Sequence, residues 1–329
     1  MIWAAFRLQR LQLLILLGVL VVGSGVIVLL RYDMIDVLNS SQLARCVALS
    51  IEECAAPPGA QKAFRTDWST AFESARALII VLPALIGVFV AAPLYAQELE
   101  QGTHVLAFTQ SVSRTRWMFS KLVVALVPAL VVLVVLQYLV WWWLSAAGTL
   151  GPRMNGPLYT LNFGIDHVSP VAYALFAFTL GTFLGAVFRR TLVAMTAGLA
   201  AFVVVRFALS GVAYRLVPSQ RRESGASENA DLRADGVVLD SGWLDGAGRP
   251  VPSDKAVALA DSCKLTPAGT LNTTEGYLAC TSDAGLVKRY ASVIPESSAP
   301  LAHLYDFAIF GGLAVLLLAA TAWALRRQS

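Results

Sequence analysis

Residues 122–147 read LVVALVPALVVLVVLQYLVWWWLSAA, a run without a single charge. At about 1.5 Å of rise per residue, a helix of this length exceeds the roughly 30 Å hydrocarbon core of a bilayer. The run shows no alternation of polar and apolar residues, so it reads as a helix and not as a barrel strand. Five more apolar runs accompany it: Leu11 to Leu30, Ala77 to Tyr95, Val168 to Phe188, Thr191 to about Tyr214, and Phe307 to Leu325. Composition agrees, with 57% hydrophobic and 14% charged residues and a mean hydropathy of +0.65. Soluble domains carry about 25% charged residues. The expected fold is an all-α polytopic membrane protein with six transmembrane helices.

Basic residues set the expected orientation. Arg7 and Arg10, then Arg114, Arg116 and Lys121, then Arg189 and Arg190, and finally Arg326 and Arg327 all fall on one side of a six-span path. By the positive-inside rule that side is the cytoplasm, with both termini on it. The net charge of +4 is scattered among these short clusters and forms no stripe, which speaks against nucleic acid as a partner. The apolar stretch of the first span exceeds the 7–15 residues of a secretory h-region, so it reads as a retained helix. Before it, Ile2, Trp3 and Phe6 alternate with Arg7, Gln9 and Arg10, the pattern of an interfacial amphipathic helix or of a charged flank.

The expected plan is an amphipathic helix over residues 1–10 and five spans within 11–214, with an outer loop at 31–76 and a cytoplasmic loop at 96–121. An extracytoplasmic domain at 215–304 follows, then a sixth span and tail at 305–329. The domain is rich in Gly, Pro, Ser and Asp, and its first stretch, Pro218 to Ala230, reads as a mobile linker. All four cysteines lie in the outer segments, Cys46 and Cys54 in one, Cys263 and Cys280 in the other. That placement favours disulfides, and pairing within each segment is the simplest of the three connectivities. Zinc ranks below this reading, since no histidine lies near and no CxxC spacing occurs.

The one sizeable cytoplasmic connection, residues 96–121, reads AQELEQGTHVLAFTQSVSRTRWMFSK. Its Glu98, Glu100, Gly102, Thr103, Thr109, Gln110, Ser111, Ser113, Arg114, Arg116, Trp117 and Lys121 resemble the coupling region of ABC-2-type ABC transporter permeases of the actinobacterial type. Trp3, Arg7, Gln9 and Arg10, the stretch from Pro170 to Ala177, and Arg189-Arg190-Thr191 resemble other parts of that family, although Phe6 stands where a second tryptophan is more usual. The domain at 215–304 carries no such resemblance. Read physically, Gly102 supplies a backbone bend and Thr103 can cap a helix after it, while the glutamates and arginines give a docking rim its electrostatic register.

The resemblance implies a permease subunit of an ABC exporter in a bacterial cell membrane, coupled to two copies of a separate ATPase and to a second permease subunit, often identical. The substrate it implies is hydrophobic or amphipathic. ATP and Mg would sit on the partner: none of Lys62, Lys121, Lys255, Lys264 or Lys288 follows a glycine, so no phosphate-binding loop is present, and the chain is not expected to be an enzyme or to bind a cofactor. His104, His167 and His303 form no HExxH metal motif.

Within the spans, Arg206, Gln137 and Tyr138 are the candidates for a translocation path. Arg206 either faces the bundle or snorkels to the interface. Gly181 and Gly185 allow close helix approach, Pro83, Pro93 and Pro128 are potential kinks, and Trp141 to Trp143 fit an interfacial belt. The competing class is a membrane sensor or scaffold whose ectodomain binds a ligand without transport.

Overall fold

A computed structural model describes residues 9–49, 54, 56–57, 59–101, 114–152, 156–225, 236–265 and 273–326, with backbone alone at 114–118. The chain divides into two compact units, Met1–Ala213 with Ala302–Ser329, and Tyr214–Leu301.

The first unit is helical. Its helices are α1 (Arg10–Ser40), α2 (Ala60–Leu85), α3 (Ala92–Glu100), α4 (Arg114–Ala147), α5 (Ser169–Phe188) and α6 (Thr191–Ala208), and α9 (Ala299–Arg326) completes it. Counting α2 and α3 as one continuous span, six helices are long and apolar enough to cross a membrane. Inside lipid there is little hydrophobic drive between helices, so close packing holds them together. Met34 of α1 and Leu133 and Leu136 of α4 are fully buried in one shared core.

The segment 31–76, expected as an outer loop, is instead mostly helix. α1 runs ten residues past Leu30, and α2 begins at Ala60. The Arg31 guanidinium donates to Trp142 O at 2.7 Å and lies 3.9 Å from the centre of the Trp142 ring, so the first charge after the apolar run is satisfied without ending the helix. In α2, Phe64, Trp68 and Phe72 recur every four residues on one buried face, and Trp143 of α4 meets Phe72 at 5.5 Å between ring centres. The hydropathy profile marks where the apolar runs end, and these helices continue beyond them.

The second span is interrupted. Between α2 and α3, Ile86–Ala91 form a π-helical segment in which Ala92 N–H reaches back to Gly87 O. Pro83, three residues earlier, has no amide to give the helix, which favours such a defect. Opposite it lie Gly181 and Gly185 of α5. A Cβ on Gly181 would stand 2.4 Å from Gly87 O, and one on Gly185 would stand 2.5 Å from Ala92 O. Glycine is required here because the two backbones touch.

The second unit is built on a three-stranded antiparallel sheet in the order β1-β3-β2, with β1 at Gln220–Gly225, β2 at Gly236–Leu244 and β3 at Lys288–Pro295. The polar stretch expected as a linker therefore contributes an edge strand: Gln220 to Gly225 pairs with Val293 to Lys288. An edge strand needs backbone partners more than apolar side chains, which is why its composition misleads. Ala291, Val293 and Ile294 of the central strand are buried. Helices α7 (Ser253–Ser262) and α8 (Thr274–Asp283) are joined by the Cys263–Cys280 disulfide. Thr273 caps α8 by accepting from Gly276 N at 3.1 Å.

Candidate coupling and translocation site

At one end of the membrane unit, α3 ends in Glu98 and Glu100 one turn below the buried Tyr95. Glu98 forms an ion pair with Lys121 of α4, whose side chain is only 6% exposed. A lysine buried to that degree demands a carboxylate, because an unpaired ammonium in low dielectric is costly. Gln9, just before α1, donates from Nε2 to Lys121 O at 3.4 Å. Two residues on, Glu100 Oε2 accepts from Thr191 N at 3.0 Å and from Thr191 Oγ1 at 2.9 Å. Thr191 opens α6, so the carboxylate satisfies an amide that the helix itself leaves unpaired and sits at the positive end of the helix dipole. One short helix is thereby fastened to two different spans.

The sequence reading gave Glu98 and Glu100 as acidic anchors for a partner. Both side chains are engaged inside the chain. Of the remaining coupling residues, Gly102, Thr103, Thr109, Gln110, Ser111 and Ser113 lie outside the described residues, as do Trp3 and Arg7. Arg114, Arg116 and Trp117 lie in the first turn of α4, with side chains outside the described set.

At the opposite ends of the spans, polar groups meet between α5, α6 and α9. Tyr173 donates its hydroxyl proton to Asp306 Oδ2 at 2.5 Å, and the Arg206 guanidinium lies 3.7 Å from the centre of the Tyr173 ring. Asp306 is 4% exposed. The Tyr173 side chain thus has a cation on its face and an anion on its hydroxyl, both of which stabilise it in low dielectric. Ser169 Oγ and His303 Nδ1 are 2.8 Å apart, and Phe163 stacks on the His303 ring at 4.0 Å. His167 meets the same ring edge-on at 4.5 Å. Gln137 of α4 donates from Nε2 to Ile165 O at 3.0 Å and to His167 O at 2.7 Å, which ties this layer to a fourth helix.

Of the three path candidates, Arg206 enters this cluster and Gln137 braces it. Tyr138 does not: it is 60% exposed on the surface of α4 and stacks on Trp141. Sequence reasoning missed Ser169, Tyr173, His303 and Asp306. Asp306 falls one residue before the apolar run, at the edge of the sixth span, where a charge reads as a flank. The available signal was Arg206 itself, since a charge deep in a span calls for a partner at the same depth.

Among the described residues no group of His, Cys, Asp and Glu is arranged to hold a metal ion. Cys46 with Cys54, and Cys263 with Cys280, are disulfide-bonded. The family described as ABC-2 membrane transporter related matches residues 17–213, from within α1 to just past α6. No curated protein and no solved structure matches the chain. The family match covers more than half of the chain and most of its membrane unit, and the chain therefore belongs to the ABC-2 membrane transporter related family, as a multi-pass transporter subunit of the cell membrane.

Proposed function

We propose that this chain is the permease of an ABC exporter and that α3 is the lever through which a separate ATPase moves it. The observation that carries the reading is the double attachment of α3, by Glu98 to α4 and by Glu100 to α6. A push on the connection at 96–121 reaches two spans at once, because rigid helices joined by short charge-assisted bonds move as a body. In this arrangement the glutamates hold the lever, and the connection after Gln101 presents Gly102, Thr103, Gln110, Ser113, Arg114 and Arg116 to the ATPase. ATP and Mg bind on that partner, present in two copies beside a second permease, an identical one in the simplest assembly.

The proposed topology has both termini in the cytoplasm and the Tyr214–Leu301 unit outside. The cluster of Arg206, Tyr173, His303 and Asp306 then lies at the outer ends of α5, α6 and α9 and acts as the outer gate, braced by Gln137. The cargo is a hydrophobic or amphipathic compound.

The test is the double variant Glu98→Gln, Glu100→Gln in the reconstituted complex. Expected is retained ATPase binding with a loss of substrate-stimulated hydrolysis and transport. Wild-type stimulation in that variant would remove α3 from the mechanism, whereas loss of ATPase binding would return the glutamates to a docking role.

A further inference from the structure

At the end of the membrane unit that carries the Cys46–Cys54 bridge, an open cleft of about 170 Å³ lies between α2 and the turn at 148–152. Arg65, Ser69, Phe72 and Arg76 line it from one face of α2, as their helical spacing requires, and Leu150 closes the other side. Arg76 is 6% exposed. A guanidinium stays protonated at any physiological pH, so burial cannot neutralise it.

Among the described residues, Arg76 has one hydrogen bond, from Nη1 to Asn162 Oδ1 at 3.4 Å, and its buried Nε has no partner. Asn162 is fixed by its own amide, which donates to Pro152 O at 3.1 Å and Gly156 O at 2.9 Å, so its oxygen is committed to the arginine. Arg65 is in the same condition: Nη2 donates to Thr149 O at 3.3 Å and the buried Nε is unpartnered. Among the described residues no carboxylate pairs with either arginine. Glu73 lies on the rim, exposed to solvent, and leaves both unpaired.

Three other cations of this unit, Lys121, Arg31 and Arg206, are treated differently. Lys121 is neutralised by Glu98, Arg31 rests on a carbonyl and an indole, and Arg206 lies on Tyr173 beside Asp306. Two partly satisfied guanidinium groups in one open cleft, one of them buried, form a site short of its counter-ion. We propose that the cleft binds the phosphate or carboxylate group of an anionic ligand on Arg76, with Arg65 as its second cation. Phe72 and Leu150 offer an apolar wall to a ligand that has an apolar part.

Native mass spectrometry of the full-length protein, titrated separately with phosphatidylglycerol, phosphatidylcholine and inorganic phosphate, tests the proposal. Expected is an anion-selective adduct whose affinity falls about 10- to 100-fold in Arg76→Gln, the range for losing hydrogen bonds to a charged group, and less in Arg65→Gln. Ser69→Trp, at an exposed position on the same helix face, keeps both arginines, fills the cleft and should abolish the adduct; it decides the matter if Arg76→Gln fails to fold. Selective binding of phosphatidylglycerol alone assigns a lipid headgroup, and equally Arg76-dependent binding of inorganic phosphate assigns a free anion; either supports the site. Equal binding of the two lipids without phosphate binding, no binding at all, or adducts unchanged in Arg76→Gln and Ser69→Trp would overturn it.

Discussion

Replacing Gly181 and Gly185 together by alanine should force α5 away from the π-helical segment of the second span. The Cβ on residue 181 would stand 2.4 Å from Gly87 O, where ordinary contact begins at 3.4 Å, so the gap must open by about 1.0 Å. The Cβ on residue 185 needs nearly the same, 0.9 Å from Ala92 O. Both obstacles are backbone carbonyls, which cannot rotate aside as a side chain does. Overpacking of this kind costs about 1–3 kcal/mol, and one displacement relieves both clashes, so the two costs should not add. With two backbone carbonyls to displace, the cost falls at the upper end, about 3 kcal/mol, and a return of up to about 1 kcal/mol per site in helix propensity leaves a net loss of about 1 kcal/mol or more for the pair. Gly198→Ala is the internal control, since its Cβ meets only Leu184 Cδ1 at 3.8 Å and should be neutral or slightly stabilising. Reversible unfolding of the full-length protein in mixed micelles measures all three. If the double variant is as stable as wild type, the close approach of these backbones is wrong.

Asp306→Asn should cost about 1–3 kcal/mol by removing the carboxylate that accepts from Tyr173, the ring on which Arg206 lies, and a cycle with Arg206→Leu should recover part of that loss; additive losses would show that the two groups are uncoupled. Replacing Cys263 and Cys280 by serine should destabilise the sheet unit by about 3 kcal/mol on the chain-entropy account of a loop with sequence separation 17, seen as faster proteolysis within residues 214–301. Asp245 accepts from Arg249 N at 2.8 Å and Ala247 N at 2.9 Å, and these bonds hold its carboxyl below the ordinary aspartate value. A depressed folded-state value means that the contribution is whole at neutral pH and is lost as pH falls from the ordinary aspartate value through the folded one. Melting of this unit should therefore be less acid-sensitive in Asp245→Asn, and identical pH profiles would contradict the assignment.

The six spans were legible because runs such as Leu122 to Ala147 answer to one physical demand, an uncharged helix as long as the bilayer is thick. The ends of α1 and α2 were not, because the oxygens to which Arg31, Arg65 and Arg76 donate, and the indole under Arg31, come from residues 142–162, which no local pattern reveals. Cys46 with Cys54 and Cys263 with Cys280 followed from compartment and proximity in sequence. The strand at Gln220–Gly225 escaped notice because an edge strand is specified by its neighbour, here Lys288–Pro295, more than by its own residues. Glu98 and Glu100 were recognised as notable, yet their partners Lys121 and Thr191 lie 23 and 91 residues away, so their use inside the chain could not be read from the motif.

The central claim is that α3 and α6 move as one body. Spin labels at Gln97 and Leu192, both exposed and on either side of the Glu100 to Thr191 contact, report it directly through their separation in the reconstituted complex. The account predicts one distance shared by the nucleotide-free and vanadate-trapped states of the wild type, and a broadened or split distribution in Glu100→Gln. A wild-type distance that changes between the two nucleotide states, or a Glu100→Gln distribution identical to wild type, would contradict it.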